Sequence, residues 1–267
     1  MAERKFDDRN KVNDLTGSEW KFSTKTVISK AYPINMQHKL RSEHGGQKPP
    51  ELCEDIIKMF TKKNMLVLDP FMGVGGTLLG ATLCERHAIG IDLNQRWIDI
   101  YKEVCKLENI SEEVTICGDS LYILDTVENE SVDFILTDVP YWNIDTSKHT
   151  RSKKAAKSKL GSFENDTVNQ SKEEWLSLMV SIIKKSVDKL KKNCYMAIFI
   201  GDIYKEQEYH ILSAELSMAL KSNIHNIKMK SNIIWVDNSK SLHVFGYPFT
   251  YVPSLIHQNI LIFKKEE

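Results

Sequence analysis

Short apolar runs alternate with helix-period segments along most of the chain. Residues 65–69 read as a first strand, and residues 77–86 as the helix that follows it. Residues 87–92 are a second strand. Asn94 then caps a helix to about residue 107, in which Trp97, Ile98, Tyr101 and Val104 recur at helical spacing. Residues 114–117 and 132–137 are a third and a fourth strand. Ser171 followed by Glu174 is a capping box, and Trp175, Met179, Ile182, Ile183 and Leu190 mark the buried face of a helix to about residue 192. Residues 195–200 are a fifth strand, 205–222 a helix, and 227–236 and 257–263 two closing strands with no helix between them. Ahead of this series Pro50 opens a helix to about residue 62, with Leu52, Ile56 and Met59 or Phe60 on one face. The pattern predicts an α/β fold of Rossmann-like type, with a mixed seven-stranded sheet and helices on both faces.

Two stretches fall outside the pattern. Residues 1–43 read as an N-terminal arm, its first 23 residues polar and mobile or loosely docked. Residues 44–267 form the main domain. Within it, residues 143–170 are polar and carry Lys148, Arg151, Lys153, Lys154, Lys157 and Lys159 without an acid between 148 and 159. They read as a mobile basic loop, either a functional segment or a solvated one.

Composition narrows the class. The 267 residues are 42% hydrophobic, enough for a substantial core, and carry 36 basic and 36 acidic side chains, so the net charge is zero. That balance argues against nucleic-acid binding through bulk charge and leaves a local patch open. No run approaches the roughly 18 apolar residues of a membrane span, and the charged N-terminus lacks a signal core. The five cysteines form no C-x-x-C pair, which predicts reduced thiols in a cytoplasmic protein. The histidines show no metal-ligand spacing, so no metal is expected.

The chemistry gathers at three strand ends. The first strand runs into Asp69-Pro70-Phe71, then Gly73, Gly75 and Gly76, then the helix from Thr77. Glycines after a strand allow positive φ and close approach of a ligand to the backbone, although a tight turn alone explains them. The second strand ends in Asp92. The fourth ends in Asp138-Val139-Pro140-Tyr141, where Asp and Pro are also ordinary turn residues.

Together, Asp69-Pro-Phe-x-Gly-x-Gly-x-Thr77, Asp92 and Asp138-x-Pro-Tyr141 resemble the S-adenosylmethionine-dependent amino-methyltransferases of DNA, which act on adenine N6 or cytosine N4. The stretch from His44 through Gln47-Lys48-Pro49 to Leu52 is similar to the segment that packs beside the methionine end of the cofactor in that family. The resemblance covers residues 44–142 well and the closing strands in outline. It implies that Asp69, Phe71, Gly73, Gly75 and Thr77 cradle the methionine part of S-adenosylmethionine. Lys48 and His44 would lie near its carboxylate, Asp92 on the ribose hydroxyls, and Asp119 and Ser120 beside the adenine. Asp138, Pro140 and Tyr141 would be catalytic: a carboxylate and a main-chain carbonyl take the amine N–H groups, and Tyr141 stacks on a base turned out of the duplex.

The same resemblance makes Trp142, Lys153, Lys154 and Tyr247 candidates for contact with DNA. Trp142 is open between stacking and core, and Phe245, Tyr247, Phe249 and Tyr251 between base pocket and packing. Two departures stand out. Val139 replaces a proline usual in the family, and the chain ends close after its last strand, so a separate target-recognition domain is expected to be absent. A homodimer or partner subunit would then supply recognition, in a restriction–modification setting. The leading aspartate leans to adenine N6, with cytosine N4 next. An RNA base methyltransferase and a catalytically idle, nucleic-acid-binding subunit are the rival readings.

Overall fold

The structure, a computed structural model, describes residues 6–142 and 171–267. The basic run containing Lys153, Lys154 and Lys157 lies outside the described residues. Thr16 and Glu19 form a capping box that opens α1 (Gly17–Ser23). The short strand β1 (Val27–Ile28) and helix α2 (His38–Arg41) follow. Helix α3 (Pro50–Phe60) starts on a proline and buries Leu52, Cys53, Ile56 and Ile57. Then come β2 (Leu66–Asp69), α4 (Gly76–Leu83), β3 (His87–Asp92), α5 (Gln95–Glu108), β4 (Val114–Cys117), the single turn α6 (Ser120–Ile123) and β5 (Val132–Asp138). The second half holds α7 (Lys172–Lys189), β6 (Leu190–Ile200), β7 (Ile203–Lys205), β8 (Glu208–His210), α8 (Leu212–Asn223), β9 (Ile227–Val236) and β10 (His257–Lys265).

Eight strands form one sheet in the order β1-β9-β10-β6-β5-β2-β3-β4. β10 runs antiparallel to both β6 and β9, and the other neighbours are parallel. Side chains alternate across each central strand. Val67, Phe134 and Ala197 face a layer built by α3, α4 and α5, with Leu52, Leu78 and Tyr101 in it. Leu68, Ile135 and Ile198 face α7 and α8, with Trp175, Met179 and Leu216. Helices therefore cover both faces, as the apolar pattern predicts. The chain winds from β2 out to β4 and returns to β5 on the other side of β2. Such a reversal opens a crevice beyond the carboxyl ends of the two central strands.

Three features depart from the expected layout. The sheet has eight strands rather than seven because the presumed arm contributes β1, paired with Ile234 and Trp235. That segment is docked: Asn13 is buried, and its Nδ2 donates to the Met59 carbonyl at 2.7 Å. Second, a hairpin, β7–β8, occupies the start of the helix expected at 205. Its two turn residues, Glu206 and Gln207, both have positive φ, the geometry of a tight hairpin, but neither is a residue that advertises one. Third, α7 stops at Lys189, short of residue 192. Buried Lys265 donates Nζ to the carbonyls of Val187 and Leu190 at 3.0 and 2.6 Å, closing the helix end.

Cys53, Cys84 and Cys105 are buried free thiols, Cys194 is half-buried, and Cys117 is exposed rather than in the core. Among the described residues no helix is long and apolar enough to cross a membrane.

Candidate active site

Asp69 and Asp138 end the adjacent parallel strands β2 and β5, at the point where the winding reverses. Asp69 is buried. Its Oδ1 accepts from the Phe71 amide at 3.0 Å and the Thr137 hydroxyl at 2.6 Å. Burial pushes its carboxyl up to about 6, against the hydrogen bonds from Thr137, Thr77 and Phe71, with a smaller upward push from the Asp138 charge. The Thr77 hydroxyl also lies 3.4 Å from the Leu136 carbonyl, so Thr77 ties α4 to β5.

The glycine turn is shaped by neighbours on both sides. Gly73 has φ +50, and a Cβ there would stand 3.0 Å from Nε2 of His44. Gly75 has φ +77, and a Cβ there would meet the Tyr101 ring at 2.3 Å. Only glycine fits either place. His44 packs edge-on against Trp97 with centroids 5.0 Å apart. Burial and then Lys48 push its imidazole down to about 4, so it is neutral at physiological pH.

Asp92 Oδ2 accepts from the Gly73 amide at 2.8 Å, and Oδ1 from the Asn94 amide at 2.8 Å. The carboxylate thus joins the β2 turn to the start of α5. Asp119 is exposed and caps α6 through the Leu121 amide at 2.8 Å. Ser120 is buried, and its hydroxyl donates to the Pro70 carbonyl. It clamps two strand-end turns together.

The tetrapeptide makes two contacts that the sequence did not announce. Lys48, expected near a cofactor carboxylate, instead pairs its Nζ with Asp138 Oδ2, and Lys48 is 7% exposed. The carbonyl of Pro140 accepts from Trp175 Nε1 at 2.8 Å, which ties the tetrapeptide to α7. Asp138 Oδ1 and the Tyr141 hydroxyl are buried and close enough to act on each other's ionisation, but neither meets hydrogen-bond geometry with any group among the described residues. Burial raises Asp138 above the usual carboxylate range, with Lys48 opposing it. Burial, and next the Asp138 charge, raise Tyr141 well above its ordinary value. The Tyr141 ring lies against Gly201 at the end of β6, where a Cβ would be 2.9 Å away.

Trp142 stacks edge-on with His210 of β8 at 5.2 Å and carries Lys205 Nζ 4.2 Å above its ring. It is braced by the β7–β8 hairpin. Phe245, Tyr247, Phe249 and Tyr251 stand exposed on the loop between β9 and β10 rather than lining a closed pocket.

Residues that sequence reasoning missed also shape the site. Arg41 is 1% exposed and donates to the carbonyls of Met36, Asn35 and Lys48, holding the loop that carries His44 and Lys48. Lys240, at the foot of the β9–β10 loop, is exposed at the surface, and the charges of Asp237, Lys48 and Asp138 all act on it. Trp175 reads as core, and only its indole N–H carries a second role. The charge of Arg41 in an otherwise capped loop is the one signal that could have flagged the first; Lys240 has none.

A donor with a cationic amine, a ribose and an electrophilic methyl fits this crevice. The carboxylates of Asp69 and Asp92 lie beside the glycine turn, and Asp138 Oδ1 is a buried acceptor one strand away.

Comparison with known proteins agrees with that architecture. TrmN from Thermus thermophilus superposes with a TM-score of 0.57 at 15% identity, over 88% of this chain and 54% of that one, a likeness of fold. The type II methyltransferase M.HpaI of Haemophilus parainfluenzae is 30% identical over 119 residues, 41% of this chain and 35% of its own length. A tRNA (guanine(10)-N2)-dimethyltransferase of Pyrococcus abyssi is 29% identical over 93 residues, 35% of this chain and 28% of its own length. The chain thus spans about a third of these relatives' length. The DNA methylase family of N6/N4 methyltransferases matches residues 3–103 and 132–267, which leaves out residues 1–2 and 104–131, from the end of α5 to just before β5. This chain belongs to that family of DNA methylases.

Proposed function

We propose that this chain transfers a methyl group from S-adenosylmethionine to an exocyclic amine of a nucleobase in DNA, adenine N6 first and cytosine N4 next. The observation that carries the proposal is Asp138 Oδ1, a buried acceptor that meets hydrogen-bond geometry with no group among the described residues, on the strand next to the glycine turn. An exocyclic amine is a weak nucleophile because its lone pair is delocalised into the ring. An acceptor fixed on its N–H draws the nitrogen toward tetrahedral geometry and frees the lone pair. Asp138 Oδ1 supplies one such acceptor. A main-chain carbonyl of the tetrapeptide would supply the second; that of Pro140 already takes one N–H, from Trp175.

S-adenosylmethionine supplies a methyl on a sulfonium when bound. Asp69 would hold its ammonium, the Gly73–Gly75 backbone and Phe71 its methionine part, and Asp92 its ribose hydroxyls. Asp119 and Ser120 would border the adenine through backbone and side-chain edges, with the Ser120 hydroxyl retained by Pro70. Tyr141 presents a ring backed by Gly201 for stacking on the target base. Lys48 is assigned to Asp138 rather than to the cofactor. Asp138 in its charged form is also the nearest base for the proton that the methylated amine releases.

The curated relatives support an amine acceptor, and they include one named for guanine N2 of tRNA, so RNA is the second reading. A partner subunit or second copy would supply target recognition, in the cytoplasm. Incubation with labelled donor and either unmethylated duplex DNA or RNA, followed by digestion, identifies the product. N6-methyladenine from DNA is expected. Label in RNA alone overturns the choice of polymer, and donor binding without transfer to either makes the chain an idle subunit.

A further inference from the structure

We propose that the loop between β9 and β10 is a stacking hairpin for unpaired DNA bases, set beside the catalytic carboxylate. The proposal rests on the DNA reading above. Within ten residues, Leu242, Val244, Phe245, Tyr247, Phe249 and Tyr251 are between 51% and 93% exposed, Phe249 most of all. Apolar surface concentrated in this way marks a site of interaction.

The loop is built rather than slack. Phe245 and Val252 form an antiparallel bridge. Gly246 sits at φ +72, and its carbonyl accepts from the amides of Phe249 and Thr250, both at 2.8 Å. A Cβ at Gly246 would stand 2.4 Å from the Thr250 carbonyl oxygen, so the tip closes only on glycine. At the base, the His243 amide donates to Ser254 Oγ at 2.8 Å, and Asn238 Nδ2 donates to the Ser29 carbonyl at 2.8 Å. The hairpin therefore has a held backbone with its rings outward, which lowers the backbone entropy lost on binding.

Its direction follows from the sheet. β9 is antiparallel to β10, β10 to β6, and β6 is parallel to β5. The end of β9 thus leaves the sheet on the same edge as Asp138. Lys240 at the foot of the loop feels the charges of Asp138 and Lys48.

Nucleobases are the occupant that fits. Flat rings stack on bases whatever their identity. Lys240 and His243 accompany the rings, and residues 238–265 contain no acidic side chain, which suits a polyanion. A base taken out of a duplex leaves neighbours with a bare face, next to the place where the target amine is held.

The test uses the full-length protein and a variant with Tyr247→Ala, Phe249→Ala and Tyr251→Ala, all at exposed positions. Binding is measured against labelled single-stranded DNA of mixed sequence and against an oligomer of the same length made of abasic units. The variant should bind the base-bearing strand about tenfold or more weaker, with an unchanged salt slope, since stacking and not phosphate contact is lost. Affinity for the abasic oligomer should be unchanged. Wild-type affinity in the variant, equal loss on both oligomers, or no binding of wild type to either overturns the proposal. If methyl transfer to DNA proceeds while the variant binds as wild type does, the hairpin assignment alone falls. If neither transfer nor binding occurs, the DNA reading falls with it.

Discussion

Lys48 and Asp138 lie ninety positions apart and form one ion pair at the mouth of the central crevice. The lysine takes Oδ2 and leaves Oδ1 as the acceptor that faces inward. A carboxylate held at one oxygen has little rotational freedom, so the pair fixes both the charge and the aim of Asp138. Lys48→Met should therefore lower kcat by about 10²-fold or more while donor affinity, read by calorimetry, stays within a few-fold. A parallel loss of donor affinity would return Lys48 to the cofactor.

The same variant should change the pH profile. Lys48 opposes the burial that raises the Asp138 carboxyl. Lys240, Tyr141, Asp69 and Cys53 also face this group. In the proposed reaction the carboxylate is the active form, so removing the lysine should shift the acid limb of kcat to higher pH. An acid limb that stays in place would separate Lys48 from the ionisation of Asp138.

Asp69 offers a stability test with a definite sign. Its folded-state carboxyl is raised from 3.8 to about 6. The folded protein then binds the proton more tightly than the unfolded chain, and this group's contribution falls as pH rises from about 4 through 6. Asp69→Asn keeps an acceptor for Phe71 and Thr137 and removes the buried charge. Relative to wild type it should gain stability between pH 4 and pH 7.5, by up to about 3 kcal/mol in denaturant titrations, while donor binding weakens. A difference that does not change with pH would show that the Asp69 carboxyl titrates in the fold as it does in the unfolded chain.

Trp175 anchors the tetrapeptide through the Pro140 carbonyl. Trp175→Phe removes that hydrogen bond and preserves most of the packing. A stability loss of about 1–2 kcal/mol is expected, together with a fall in kcat at unchanged donor affinity. Where Val139 stands in place of a proline, this bond supplies stiffness that the backbone no longer has. Wild-type turnover in Trp175→Phe would show that the anchor has no part in the chemistry.

The cofactor half was readable because its instructions are local. Strand, glycine turn, helix and acid follow one another in sequence from Leu66 to Asp92, and local propensity and tertiary packing agree there. The partners of Asp138 were not readable. Lys48 precedes it by ninety residues and Lys240 follows it by a hundred, and no periodicity reports which of many lysines reaches a given carboxylate. Glu206 and Gln207 turn the β7–β8 hairpin without glycine or asparagine, and β1 is two residues long, too short for any pattern. Asn94 and the Ser171–Glu174 pair cap their helices as expected, because a cap is settled within four residues.

The pairing of Val27 with Ile234 has a consequence for how the molecule is made. A nascent chain presents the cofactor half first, while β1 has nothing to pair with until β9 has been synthesised. The outer edge of β9 beside Trp235 closes only at that late stage. Contacts of such sequence separation form slowly, because a long loop must close first. The outer edge of β9 is thus open to mispairing during folding, and β1 shields it only at Ile234 and Trp235.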